Sequence, residues 1–218
     1  PCLDPDGRLW LGADDGHVYA FDAGGAMKIR ARVADLVAAS PVCDGAEVWF
    51  ADTTLRNTAG HAVPLGDEPV VAPPAFGDNG ELYVGSWDGK LRKITSSSVE
   101  WAVDTGGQIY GGAAVGRDGT VVIGNRAGVV MALAPTSEVL WRVELRDGVY
   151  GTPAIAANDT VFVGANDNRV HALDMSKGTE LWAERLGRDV RSSVALMQDG
   201  SVIAASWDFK LVCLDGGA

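Results

Sequence analysis

An all-β propeller of six blades is predicted by three features of the sequence: a motif recurring about every forty residues, turn signals between short apolar runs, and no sustained 3.6-residue apolar period. The runs begin at Leu9, Val48, Leu82, Val121, Val161 and Val202, in steps of 39, 34, 39, 40 and 41 residues. Pro1, Pro74, Ala113, Pro153 and Val194 each stand eight residues ahead of a run, and Pro41 stands seven ahead of its own.

Each unit then reads as four strands. The first is short and entered through Pro or a small residue, as in Ser40-Pro41-Val42 and Thr152-Pro153-Ala154-Ile155. A two-residue turn follows, Asp6-Gly7, Asn79-Gly80, Asp118-Gly119 or Asp199-Gly200, a hairpin signal in which both positions are expected at positive φ. The second strand is the apolar run, whose continuity implies burial on both faces. Third strands are expected over His17–Asp22, Lys90–Thr95, Val129–Ala134, Arg169–Asp174 and Lys210–Asp215. The fourth carries Trp101, Trp141 or Trp182; Ile29 stands near that place in the first unit, and the second unit is degenerate over Arg56–Pro64. Ser96-Ser97-Ser98 reads as a turn between third and fourth strands rather than as a nucleophile.

A lone four-stranded sheet cannot cover both of its faces, whereas one between two neighbours can, leaving only short edges. The units fall at about 1–39, 40–70, 71–109, 110–149, 150–190 and 191–218 within a single domain, with no linker between them. The last stops after its third strand, so either the sixth blade closes with three strands or the chain is a piece of a larger ring. Pro1 in place of an initiator methionine reads as a processed or excised chain. All seven Trp fall on three repeat positions: Trp10 and Trp49 on second strands, Trp87 and Trp207 in second-to-third turns, and Trp101, Trp141 and Trp182 on outer strands. Repetition at the outer position implies blade-to-blade docking, and Trp182→Ala would cost about 3–5 kcal/mol if that side chain were fully buried.

Composition narrows the function. With 218 residues, 47% of them apolar, the chain is long enough to bury a core without staples and is not of the disordered class. The formal net charge of −11 argues against nucleic acid as a partner. No apolar run is long enough to span a bilayer, so no membrane insertion by this segment is expected. Cys2, Cys43 and Cys213 lack metal-ligand spacing and read as small core residues outside any disulfide framework. His17, His61 and His171 occupy non-equivalent positions, and the Asp-Gly turns lack the calcium-loop pattern, so no metal site is expected. No nucleophile elbow or phosphate loop is present. Arg outnumbers Lys 13 to 5, which hints at a bacterial source.

The segment Ala172-Leu173-Asp174-Met175-Ser176-Lys177-Gly178-Thr179-Glu180-Leu181-Trp182 resembles the A-x-D-x-x-x-G-x-x-x-W tryptophan-docking motif of quinoprotein propellers. Thr160-Val161-Phe162-Val163-Gly164 stands where that family has its characteristic strand, with partial copies at Ala20-Phe21-Asp22, Ala132-Leu133 with Trp141, and Trp101. The chain is thus similar to the pyrroloquinoline-quinone-like (PQQ-like) repeat family, a superfamily spanning quinoprotein alcohol dehydrogenases and BamB-like assembly lipoproteins. The dehydrogenases of that family have eight blades, adjacent disulfide-bonded cysteines over the quinone and a bound calcium. Six countable units without adjacent cysteines point to the other branch, whose propellers bind proteins or ligands as assembly or sensor modules. The resemblance therefore implies a non-catalytic scaffold without cofactor, in a periplasmic or extracytoplasmic setting. A quinone- or metal-dependent oxidoreductase using the central funnel, with PQQ and calcium, is the alternative.

In this fold the fourth-to-first linkers and the second-to-third turns share the funnel face. The linkers bring Ala38, Val71, Tyr110, Tyr150 and Arg191 there, and the turns bring Asp14, Trp87, Arg126, Asn166 and Trp207. Trp, Tyr and Arg are the residue types that dominate binding hot spots. The expected site for a protein or small ligand is therefore Trp87, Trp207, Tyr110, Tyr150, Arg191 and Arg126. Tyr110 and Tyr150, in Ile-Tyr-Gly and Val-Tyr-Gly contexts, also fit a packing role within the repeat. Trp87 and Trp207 carry the functional expectation best, since other units place Asp, Arg or Asn there.

Overall fold

A computed structural model describes residues 1–33, 37–45, 47–95 and 98–216; Ser96 and Ser97 of the expected serine turn lie outside them. Six antiparallel sheets follow one another along the chain. Blade 1 comprises β1 (Cys2–Leu3), β2 (Leu9–Gly12), β3 (His17–Phe21) and β4 (Met27–Arg32). Blade 2 comprises β5 (Val42–Cys43), β6 (Val48–Ala51), β7 (Thr54–Asn57) and β8 (Ala62–Pro64), so the degenerate unit is a complete blade. Blade 3 holds β9 (Ala75–Phe76), β10 (Leu82–Gly85), β11 (Lys90–Thr95) and β12 (Ser98–Asp104). Blade 4 holds β13 (Ala114–Val115), β14 (Val121–Gly124), β15 (Val129–Leu133) and β16 (Val139–Glu144). Blade 5 holds β17 (Ala154–Ile155), β18 (Thr160–Ala165), β19 (Arg169–Asp174) and β20 (Glu180–Arg185). Blade 6 has three strands, β21 (Ala195–Leu196), β22 (Val202–Ser206) and β23 (Lys210–Leu214).

The first-to-second turns differ from the expected two-residue form. In the four Asx-Gly turns only the glycines take positive φ, at Gly7, Gly80, Gly119 and Gly200, and each donates its amide to the carbonyl three residues back: Asp4, Gly77, Gly116 and Met197; in blade 5 Asp159 takes that place at φ +59° and bonds Ala156 O. The turn is therefore one residue longer, with a left-handed glycine closing it, and the preceding Asp accepts backbone bonds instead of adopting positive φ, as Asp118 does from Thr120 N at 3.0 Å.

Burial follows the repeat. In each second strand one side chain faces the following blade and its flanking neighbours face the preceding one. Tyr83, with Leu91 and Ile109, meets Val121, Ile123 and Leu133. Val122, Val130, Ala132 and Trp141 meet Val161, Val163 and Leu173. Phe162, Val170 and Ala172 meet Val202 and Ala204. Trp10 and Val18 meet Val48 and Phe50, and Trp49 and Leu55 meet Leu82 and Val84. Non-directional burial of these aliphatic faces holds blade to blade, so the core is a series of slabs rather than one centre.

Outer-strand tryptophans reach across these slabs. Trp101 Nε1 donates to Pro135 O at 3.0 Å and Trp141 Nε1 to Met175 O at 2.6 Å, in each case on the next blade. Gly178 has φ +70°, and a methyl group there would sit 2.6 Å from the Trp141 ring, so the motif glycine makes room for the preceding blade's indole. Trp182 is only half-buried and packs on the edge of the slab between blades 5 and 6.

The cysteines depart from the expected core roles. Cys2 of β1 and Cys43 of β5 form a disulfide joining the inner strands of blades 1 and 2. Cys213 is free and exposed.

Candidate functional site

The linkers that enter the funnel are anchored at two points. An apolar linker residue (Val37, Val70, Ile109, Val149 or Val190) is fully buried and donates its amide to the second-to-third turn of its own blade, as Ile109 N does to Ser86 O and Val149 N to Asn125 O. Gly85, Gly124 and Gly164 lie under Ile109, Val149 and Val190, where any Cβ would collide with those side chains. The residue before the plug accepts from the next blade's turn: Arg126 N donates to Gln108 O at 2.9 Å, Asn166 N to Gly148 O at 2.9 Å and Trp207 N to Asp189 O at 3.0 Å. With the plug fixed inward, the following residue emerges at the funnel. That residue is Tyr110, Tyr150 or Arg191.

Five of the six expected residues form one continuous row. The rings of Trp87 and Tyr110 lie 5.3 Å apart, and those of Tyr110 and Tyr150 lie 4.9 Å apart. The Arg191 guanidinium then bridges, 4.9 Å from the Tyr150 centroid and 4.0 Å from that of Trp207. The tilted ring geometry and the cation over two faces are favourable aromatic arrangements. Arg126 stands outside the row, exposed, with Nη1 donating to Gln108 Oε1 at 2.9 Å.

Supporting groups set the row's charge. Arg191 Nη2 donates to Asp189 Oδ2 at 3.2 Å and Nε to Asn166 Oδ1 at 3.3 Å, so its charge is compensated and its plane fixed. Beneath Trp87, Asp88 pairs with the buried Arg92. Burial by itself raises the Asp88 carboxyl, but the hydrogen bonds from Arg92 and from the Lys90 amide outweigh it and hold it below the usual carboxylate range. Trp87 Nε1 is buried without a hydrogen-bond partner among the described residues.

Residue-type reasoning missed Gln108 and Asp189, which orient the arginines, left Asn166 out of the site although it placed that residue on the funnel face, and missed Phe209. Phe209 is fully exposed at φ +64°, two residues beyond Trp207. Equivalent turn positions hold Gly16, Gly89, Gly128 and Asn168, all at positive φ. An aromatic where the repeat otherwise uses glycine or asparagine was the available signal.

A cavity also lies away from the row. A groove of about 490 Å³ between blades 4 and 5, lined by Arg117, Asp118, Leu140, Ile155 and Met175, opens at the end carrying the first-to-second turns, opposite the aromatic row. Among the described residues no group of three or more His, Cys, Asp or Glu could hold a metal ion. The row offers broad π faces and a fixed cation, the chemistry of recognition.

A family model described as outer membrane protein assembly factor BamB matches residues 15–217. Among solved structures, the chain is similar to BamB from Moraxella catarrhalis, with a TM-score of 0.71 and 20% identity, covering 82% of this chain and 58% of that one. It is also similar to the computationally designed Ika8 protein, with a TM-score of 0.78 and 17% identity, covering 95% of this chain and 68% of that one. At these identities the structural likeness shows the fold alone. The matched part thus spans less than two thirds of the Moraxella protein. No curated protein matches the chain by sequence.

Proposed function

The chain belongs to the PQQ-like repeat propellers of the BamB assembly-factor family, and from that premise we propose that it is a non-catalytic binding module that recognises a protein through the Trp87–Tyr110–Tyr150–Arg191–Trp207 row. The continuous row across blades 3 to 6 carries the reading. It presents rigid aromatic area that loses little entropy on contact, backed by polar groups that are already paired. Its neutralised arginine favours a partner with apolar or aromatic side chains over an anionic small molecule.

The setting we propose is extracytoplasmic. The family resemblance supports it, and so does the Cys2–Cys43 disulfide, since such bonds persist chiefly in oxidising compartments. No helix among the described residues is long and apolar enough to cross a membrane.

Site-specific photocrosslinking tests the reading. A benzophenone amino acid placed at Trp87 or Trp207 in the producing cell should give discrete protein adducts, and one at Arg117 on the opposite end should not. The double variant Trp87→Ala/Trp207→Ala should abolish adducts formed from a probe at Tyr110. Equal crosslinking from both ends, or none from the row, would overturn the proposal. So would a visible quinone absorption band after incubation with PQQ and calcium, which would favour a redox enzyme instead.

A further inference from the structure

The charges of the funnel face divide between its two halves. In the linkers and second-to-third turns of blades 1 and 2 the described residues include Asp14, Asp15, Asp52, Asp67 and Glu68 but no Lys or Arg. Tyr19 donates to Asp15 and Arg56 pairs with Asp52, whereas the carboxylates of Asp14, Asp67 and Glu68 are exposed and meet no partner among the described residues. On blades 3 to 6 the carboxylates of the same segments are all engaged. Asp88 is held by Arg92, Asp147 by the Gly148 amide, Asp167 by the Arg169 amide, Asp189 by Arg191, and Asp208 by Ser206 and Lys210. The unmatched charges there are cationic. Arg126, Arg146 and Arg188 are exposed without a carboxylate partner among the described residues, Arg126 donating only to the Gln108 amide oxygen.

These free cations border the aromatic row. A Cβ on Gly148 would sit 2.5 Å from Arg126 O and 3.2 Å from the Tyr150 ring, so the Arg126 backbone and Tyr150 flank one glycine. Arg146 lies two residues before that glycine, whose carbonyl accepts from the Asn166 amide. Arg188 directly precedes Asp189, whose carboxylate holds Arg191 and whose carbonyl accepts from the Trp207 amide. Given the row's role as a protein-binding surface, on which this rests, we propose that the segment it takes is acidic as well as aromatic. Its Tyr, Phe or Trp side chains lie on the row, and its Asp or Glu side chains reach Arg126, Arg146 and Arg188.

The distribution of charge selects this occupant. The three arginines come from three separate segments of blades 4 and 5, a spread that suits several carboxylates on one chain rather than one small anion. A nucleic-acid strand also stacks on aromatics and bonds arginine, but its closely spaced phosphates would pass the fixed carboxylates interleaved with these arginines, in a molecule of net charge −11. The free carboxylates of Asp14, Asp67 and Glu68 repel an acidic segment from blades 1 and 2 and confine it to the half that carries the row. Because screening limits these interactions to about 8 Å at physiological salt, the arginines set which segment docks and where, against the repulsion of the molecule as a whole.

Two fluorescein-labelled peptides of equal length, one alternating Glu with Tyr and one alternating Lys with Tyr, separate charge from stacking when titrated with the 218-residue chain and followed by anisotropy. Despite the net negative charge, the Glu peptide should bind at least about tenfold more tightly at low salt, and most of that difference should vanish at about 0.5 M salt. Arg146→Glu/Arg188→Glu should abolish the preference and melt with the parent chain, since neither side chain has a partner to lose. Arg117→Glu/Lys177→Glu changes the net charge equally at the opposite end and should retain the preference. Equal binding of both peptides that is lost in Trp87→Ala/Trp207→Ala would overturn the acidic assignment while leaving the row as a binding surface. Tighter binding of the Lys peptide, or binding of neither, would overturn it as well. So would displacement of the Glu peptide by an oligothymidylate of matching charge, which would make a nucleic-acid strand the ligand.

Discussion

The guanidinium of Arg191, from the linker between blades 5 and 6, lies 4.0 Å above the indole of Trp207, from the second-to-third turn of blade 6. Asp189 and Asn166 hold it there. Arg191→Lys keeps the charge but loses the planar fork that bonds both partners and stacks on two rings. Its expected effect is a loss of about 0.5–2 kcal/mol in stability and a shift in Trp207 fluorescence on a retained fold. An unchanged emission spectrum would show that the stack does not persist in solution.

Phe209 carries strain that glycine would relieve. Its φ of +64° is one a bulky side chain rarely adopts, and its ring makes no compensating burial. Phe209→Gly should therefore raise stability by about 1 kcal/mol, read from denaturant midpoints. If Phe209 extends the aromatic row, the same variant should lose partner crosslinking. Greater stability with undiminished crosslinking would confine Phe209 to a structural accident of the turn.

The repeated tryptophans are not equivalent in their surroundings. Trp141 is 7% exposed and bonded to Met175 O over Gly178, whereas Trp182 is half-buried. Trp141→Ala should cost about 3–5 kcal/mol, and Trp182→Ala clearly less than the fully buried figure expected from sequence. Gly178→Ala should be destabilising through the same contact, since its methyl would press on the indole. Equal losses for both tryptophans would mean that docking contributes nothing beyond local packing.

Much of this architecture is legible because the repeat imposes it. The continuous runs imply second strands buried on both faces, and the shared face of linkers and turns brings Tyr110, Tyr150 and Arg191 together; which neighbour each run residue faces, and the plug at Ile109, Val149 or Val190, are visible only in the packed blades. The disulfide was not legible. A separation of 41 residues is about one repeat, which places Cys2 and Cys43 on neighbouring inner strands, but three cysteines, an odd number without metal spacing, gave no reason to pair them. The polar residues that orient Arg191 and Arg126 differ from blade to blade, so periodicity carries no signal for them.

The Cys2–Cys43 bond closes a loop of about one blade, so reduction should release chain entropy in the unfolded state and lower stability by about 2–4 kcal/mol. Cys2→Ser/Cys43→Ser should reproduce the loss and make the melting temperature insensitive to dithiothreitol. The row on blades 3 to 6 is remote from this clamp, and its Trp fluorescence should be unaffected below the transition.

Asp4 provides a pH test with a defined sign. Burial disfavours its charge, but the Trp10 Nε1 bond at 2.8 Å, the Arg8 amide bond at 2.9 Å and the Arg8 guanidinium outweigh that and lower its pKa from 3.8 to about 2. A carboxyl whose pKa is depressed in the folded state binds its proton more readily when unfolded. Its stabilisation is therefore complete above about pH 4 and is lost as pH falls toward 2. Asp4→Asn should lower stability at neutral pH by about 1–3 kcal/mol, the worth of hydrogen bonds to a charged group. The difference in melting temperature between the two proteins should shrink steadily between pH 4 and pH 2. Other lowered carboxylates, Asp88 and Asp118 among them, titrate identically in both proteins and cancel in the comparison. A difference that stays constant across that window would mean that the charge on Asp4 contributes nothing and that only the shape of the turn matters.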